Sequence, residues 1–162
     1  MYVQLKPDDL SSIAFFIKNN GLGSNPNYAI TTNRGVLDFK TRKLRSRFFR
    51  YTIIAYGDFD DDDPNLLKDL IIYYKPECVR ATYIKLVLSP KNNPEFLMYS
   101  VNDLFDKNEK YTKIKIIADA NLLNHGYERL WKNIGFKCEA CLRQFEDSNK
   151  NYYSLAFTRE VV

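Results

Sequence analysis

The sequence predicts an α/β (α+β) fold in which strands and helices alternate along the chain. Three observations lead there. Apolar runs rich in β-branched and aromatic residues recur at 47–56, 79–88 and 114–118, the pattern of strands. Stretches with apolar residues at helical spacing follow the second and third of them, at 94–105 and 121–134. Two further strand-like runs close the chain around the polar stretch Asp147-Ser148-Asn149-Lys150-Asn151, so the back half reads β-α-β-α-β-β.

Tyr2-Val3-Gln4-Leu5 alternates and favours a strand, and Lys6-Pro7-Asp8-Asp9 breaks it, with Asp8 or Asp9 suited to cap a helix. Leu10, Ile13, Ala14 and Ile17 then recur at helical spacing until Asn19-Asn20-Gly21, giving a helix over 9–19. From Gly21 to Gly35 the chain reads as loop, with a short strand at 28–31. Phe48, Phe49, Tyr51, Ile53, Ile54 and Ala55 form a strand that ends at Gly57-Asp58. Asp63-Pro64 fits a helix start, and a helix over 64–74 is expected up to Lys75-Pro76. The strand 79–88 ends at Ser89-Pro90, and Pro94 opens a helix with Phe96, Leu97, Val101, Leu104 and Phe105 on one face. Ile114 to Ala118 is continuously apolar, as in a strand covered on both faces of a partly parallel sheet. In the helix that follows, Leu123, Tyr127, Leu130 and Ile134 share a stripe, and Gly135 is placed to terminate it. The strands 137–146 and 152–161 complete the hairpin.

With 162 residues, 45% of them hydrophobic, the chain is the size of one domain and has apolar side chain enough for a core. Twelve Tyr and eleven Phe predict that this core is aromatic-rich. A net charge of +4 from 24 basic and 20 acidic residues is too balanced to demand a nucleic-acid partner. Three cysteines give no disulfide framework, and no stretch approaches the length that spans a bilayer, so a soluble, cytoplasmic protein away from the membrane is expected.

Four local features carry chemistry worth weighing. Lys40, Arg42, Lys43, Arg45, Arg47 and Arg50, interleaved with Phe48 and Phe49, mark either a solvated edge leading into a strand or a surface for phosphates and bases. The acidic tract Asp58 to Asp63 lacks the glycine and closing glutamate of a calcium loop and suits helix capping and a solvated turn. Cys138 and Cys141 fall on a strand, where a separation of three assigns them to opposite faces. His125, the one histidine, stands near a helix start without a second ligand nearby in sequence.

Asn124 to Phe136, reading Asn-His-Gly-Tyr-Glu-Arg-Leu-Trp-Lys-Asn-Ile-Gly-Phe, resembles the late signature of the GNAT N-acetyltransferases, with Asn124, Gly135 and Phe136 matching. The order of elements agrees, and Lys137 to Arg143 and Tyr152 to Phe157 look like that family's closing hairpin. The resemblance covers about residues 80–160 and the strand-helix opening. It implies a central mixed, largely antiparallel sheet flanked by helices.

Two departures fall where the family does its chemistry. Between the strand 79–88 and the next helix the family carries a glycine loop whose backbone N–H groups approach the pyrophosphate of coenzyme A. Here the stretch is Ser89-Pro90-Lys91-Asn92-Asn93-Pro94-Glu95-Phe96, without glycine, with a proline that lacks an N–H and with an acidic residue. Trp131 stands where many members have the Tyr that protonates the leaving thiolate, and an indole cannot serve as that acid.

The resemblance implies transfer of an acetyl group from acetyl-CoA to an amine, on a small molecule or on a protein N-terminus or lysine. It assigns the pantetheine arm to the backbone around Leu86 and Leu88, the phosphates to Lys91, Asn92 and Asn93, and positions beside the cofactor to Asn124 and Trp131. Tyr127, one turn before Trp131, is the substitute acid, and Asp119 at the end of its strand is the carboxylate candidate for the base. The alternative is a catalytically inactive GNAT-like domain that binds a protein or nucleic acid through Lys40 to Arg50. A third is an unrelated α/β fold with accidental matches.

Overall fold

The computed structural model describes residues 1–20, 30–32, 35–37, 53–74, 83–88, 93–107, 113–119, 127–143 and 151–158. Its strands are β1 (Tyr2–Gln4), β2 (Ile30–Thr32), β3 (Gly35–Leu37), β4 (Ile53–Phe59), β5 (Leu67–Tyr74), β6 (Tyr83–Leu88), β7 (Lys113–Asp119), β8 (Lys137–Arg143) and β9 (Asn151–Thr158). The helices are α1 (Leu10–Asn19), α2 (Pro94–Lys107) and α3 (Tyr127–Asn133), with a 3-10 turn at Pro7–Asp9. Seven strands form one sheet in the order β1-β4-β5-β6-β7-β9-β8, and β2 and β3 pair separately. Within the large sheet β6 and β7 run parallel and the other neighbours antiparallel, so the sheet is mixed and largely antiparallel. A parallel pair needs a crossover, and the segment carrying α2 supplies it.

The period of two along β4 and β5 divides the core into two layers. Ile53, Ala55, Phe59, Leu67, Leu70 and Ile72 pack with Ile13 and Ile17 of α1. Tyr56, Ile71 and Tyr73 pack on the other side with Phe96, Leu97, Val101, Leu104 and Phe105 of α2 and Leu130, Trp131, Ile134 and Phe136 at α3. The expected aromatic core is found here: Trp131, Tyr56, Tyr73, Phe96, Phe105 and Phe136 are among the largest side chains wholly enclosed.

The expected helix over 64–74 is instead the strand β5. Leu67, Leu70 and Ile71 show helical spacing, but the register shift opposite Asp58/Phe59 leaves Lys68 as an extra residue in the ladder. That bulge returns Leu67 and Leu70, three apart, to the same buried layer. The acidic tract therefore caps no helix: Asp58 is a buried residue of β4, and Asp60 to Asp63 lie in the turn of the β4–β5 hairpin. Asp60 Oδ1 accepts the N–H groups of Asp62 (2.8 Å) and Asp63 (3.2 Å), and Asp63 Oδ1 accepts that of Asn65 (3.0 Å). Asp9 likewise does not cap α1; its carboxylate accepts the Lys6 N–H at 2.8 Å, closing the 3-10 turn.

The end of α3 explains the Gly-Phe step in physical terms. Phe136 donates its N–H to the Trp131 carbonyl and Gly135 to that of Lys132, both at 3.1 Å, and Gly135 has φ 106°. This is the Schellman arrangement, in which the left-handed residue is best met by glycine. The residue after it packs back on the helix: the Phe136 and Trp131 rings meet edge to face, with centroids 4.7 Å apart.

Candidate functional site

The site begins with a defect in the ladder. On β6, Leu86 pairs with Tyr73 and Leu88 with Ile72, so Val87 is an extra residue between them. Such a bulge bends the strand that carries it and increases its twist. On the other side of β6, the parallel ladder with β7 runs from Tyr83↔Lys115 to Leu86↔Ala118 and stops there. Both strands nevertheless continue, β6 to Leu88 held by Ile72 of β5, and β7 to Asp119 held by Tyr152 of β9. Each strand stays with its outer neighbour while the inner pairing ends. Among the described residues, the facing backbone edges at Val87–Leu88 and Asp119 have no ladder partner across this boundary. Backbone N–H and C=O groups beyond the last register pair suit an extended ligand bearing amides.

Helix α2 starts six residues beyond Leu88 in the chain. Asn93 caps it. Its Oδ1 accepts the Phe96 N–H at 3.1 Å, and its carbonyl accepts the Leu97 N–H at 3.1 Å. The Tyr2 hydroxyl donates to the same Oδ1 at 3.4 Å, and the Tyr2 ring stacks on Phe96 with centroids 5.1 Å apart. Pro94 has no N–H, so Glu95 carries the one N–H of the first turn without a partner among the described residues. The Glu95 side chain is exposed.

Polar contacts fix the rest of α2 to the sheet. The buried Ser100 hydroxyl donates to the Leu97 carbonyl at 2.8 Å, so the Tyr73 hydroxyl is the donor in its 2.8 Å contact with Ser100. Tyr56 donates to Asp103 Oδ2 at 2.7 Å. Lys107 pairs with that oxygen, also at 2.7 Å, and donates to Gln4 of β1. Burial pushes both phenols above the usual tyrosine range, and for Tyr56 the Asp103 carboxylate adds to the effect. Both tyrosines therefore act as neutral donors.

The sequence-derived site residues are distributed as follows. Leu86, Leu88 and Asp119 stand at the C-terminal ends of β6 and β7, and Asn93 at the α2 cap. Tyr127 is the first residue of α3. Trp131, one turn later, is wholly buried against Phe136. Lys91, Asn92 and Asn124 lie outside the described residues, as do His125 and the basic run 40–50. Sequence reasoning missed the bulge at Val87 and the reach of Tyr2 to Asn93. The bulge leaves no mark in an unbroken apolar run, and the Tyr2 contact joins positions 91 residues apart.

A bulge also alters the reading of the cysteines. Cys138 pairs with Leu155 and Cys141 with Tyr153, with Glu139 the extra residue between. These register positions have the same parity on β9, so the separation of three does not assign the two cysteines to opposite faces. Among the described residues no group of three or more His, Cys, Asp or Glu is arranged to hold a metal ion. No helix among them is long and apolar enough to cross a membrane.

Comparison with solved structures identifies the fold. A ribosomal-protein-S5-alanine acetyltransferase from Vibrio fischeri superposes with a TM-score of 0.66, at 10% identity, over 98% of this chain and 92% of its own. A GNAT-family acetyltransferase from Streptococcus pneumoniae gives 0.65, at 12% identity, over 99% of each chain. An aminoglycoside 6'-N-acetyltransferase from Enterococcus faecium gives 0.59, at 12% identity, over 100% of this chain and 98% of its own. No protein-family model matches the chain, and no curated protein matches it by sequence. The chain is thus an α/β protein with a bulge on one strand of a parallel pair. More particularly, it has the GNAT fold, so an unrelated fold with accidental motif matches is ruled out.

Proposed function

We propose that the chain is a GNAT-type N-acetyltransferase that moves an acetyl group from acetyl-CoA to an amine. The observation that carries this reading is the end of the β6–β7 pairing at Leu86↔Ala118, beside the bulge at Val87. A pantetheine arm is an extended chain with two amides, and backbone groups freed from a ladder match it by adding what is in effect another strand. The bulge flanked by Leu86 and Leu88 supports this assignment of the arm, and the sequence resemblance adds Asn124 beside it. Lys91, Asn92 and Asn93 belong to the connection along which the phosphates would run.

Acetyl-CoA, when bound, supplies the thioester whose acetyl group passes to the amine nitrogen. This chain's own work is to hold the arm, orient the amine and move protons. Asp119, on the β7 side of the gap, is assigned to take the proton from the attacking amine. Tyr127, at the head of α3, is assigned to return a proton to the departing sulfur. Trp131 serves by anchoring α3 through Phe136, which fixes where Tyr127 starts.

The structural neighbours named for a ribosomal-protein alanine and for an aminoglycoside support an amine acceptor as the substrate class. A cytoplasmic setting accords with the absence of a disulfide framework among three cysteines. The test is acetyl transfer from acetyl-CoA to a panel of small amines and peptides, read by mass spectrometry. The proposal expects transfer to at least one class, with Asp119→Asn lowering kcat by about 100-fold. Transfer to none, together with no detectable binding of acetyl-CoA at millimolar concentration, overturns it.

A further inference from the structure

We infer that the acyl donor is held through its pantetheine arm, and that the N-terminus of α2 turns its diphosphate away. The inference rests on the proposed acetyltransferase reading and specifies which part of the donor the chain recognises. A helix N-terminus attracts an anion because its first N–H groups lack partners and its dipole is positive there. In α2 three features remove that attraction together. Pro94 contributes no N–H. The Asn93 side chain already accepts the Phe96 N–H, and Tyr2 holds that side chain in place from β1. The one remaining N–H belongs to Glu95, whose exposed side chain brings a negative charge to the same turn.

The ladder defect a few residues upstream shows no corresponding loss. Val87 bulges and the parallel pairing stops at Leu86↔Ala118, as an arm inserted between the strands requires. The described residues thus keep a place for amides, and the first turn of α2 adds none for phosphates. The donor class that follows is an acyl-pantetheine thioester in which the nucleotide adds little to binding, so a donor carrying one phosphate or none is accepted nearly as well as coenzyme A. Glu95 is the specificity-determining residue, and Asn93 with Tyr2 are positioning residues that keep the helix capped.

Calorimetric titration of the full chain with pantetheine, 4'-phosphopantetheine and coenzyme A tests this directly. The expected result is binding of all three with Kd values within about threefold of one another. Glu95→Gln should tighten coenzyme A by about two- to fivefold and leave pantetheine unchanged, as removal of one charge near a helix N-terminus does. Thermal melting of the variant confirms that its fold is intact. Coenzyme A binding tenfold or more tighter than pantetheine overturns the inference while leaving the acetyltransferase reading in place. Insensitivity of coenzyme A affinity to Glu95→Gln also overturns it. Binding of none of the three overturns the acetyltransferase reading itself and the inference with it.

Discussion

Gly57 shows how a single residue sets the closeness of β1, β4 and β5. A Cβ built there would lie 2.5 Å from Leu67 Cδ2 and 2.9 Å from Leu5 Cδ2, inside any real contact. Both leucines are buried, so they have little room to withdraw. Gly57→Ala should therefore destabilise the protein by about 1–3 kcal/mol, seen as a lower midpoint of urea unfolding with an unchanged slope. The two buried phenols make a prediction about pH. Tyr56 and Tyr73 both have pKa values raised in the folded state, so their contribution is fully present below the ordinary tyrosine pKa near 10. Above that pH the unfolded chain releases protons that the folded chain keeps. Stability should then fall by about 1.4 kcal/mol per pH unit for each of them. Equilibrium unfolding between pH 9 and 11 checks the sign, and Tyr73→Phe should make the alkaline decline shallower.

Elements were legible in the sequence where one periodicity ran unbroken. The apolar stripe of α2 reappears as buried Phe96, Leu97, Val101, Leu104 and Phe105, and Gly135 ends α3 as its position implied. Bulges hid the rest. Lys68 made β5 read as a helix, Glu139 changed the face relation of Cys138 and Cys141, and Val87 interrupted a run whose composition gave no hint of it. An extra residue shifts the parity of everything after it, and a pattern argument that assumes period two cannot register the shift. At this scale three substitutions are informative. Gly135→Ala forces a side chain into the left-handed region and should cost about 1–2 kcal/mol of stability. Asp103→Ala removes the acceptor of the enclosed Tyr56 hydroxyl and should cost about 1–3 kcal/mol, whereas Lys107→Ala, which breaks a half-exposed ion pair and an exposed hydrogen bond to Gln4, should cost less than about 1 kcal/mol. Chemical denaturation of the three variants ranks them.

For the whole molecule, the sheet is built outward from the parallel pair β6 and β7. On one side β5 and β4 hold β6, with α1 and α2 packed on opposite faces; on the other, β9 and β8 hold β7. Elements distant in the chain meet across the sheet, as when Tyr2 of the first strand touches the cap of α2. The order of elements and the Gly-Phe step made the fold legible from sequence. The site was legible only in outline, because its main feature is a mismatch between two ladders rather than a residue type. Backbone amide NMR during titration with acetyl-CoA tests that feature most directly. The account predicts the largest shifts at Val87, Leu88 and Asp119, with slowed hydrogen exchange at those amides; saturation with acetyl-CoA that leaves these amides unchanged would contradict it.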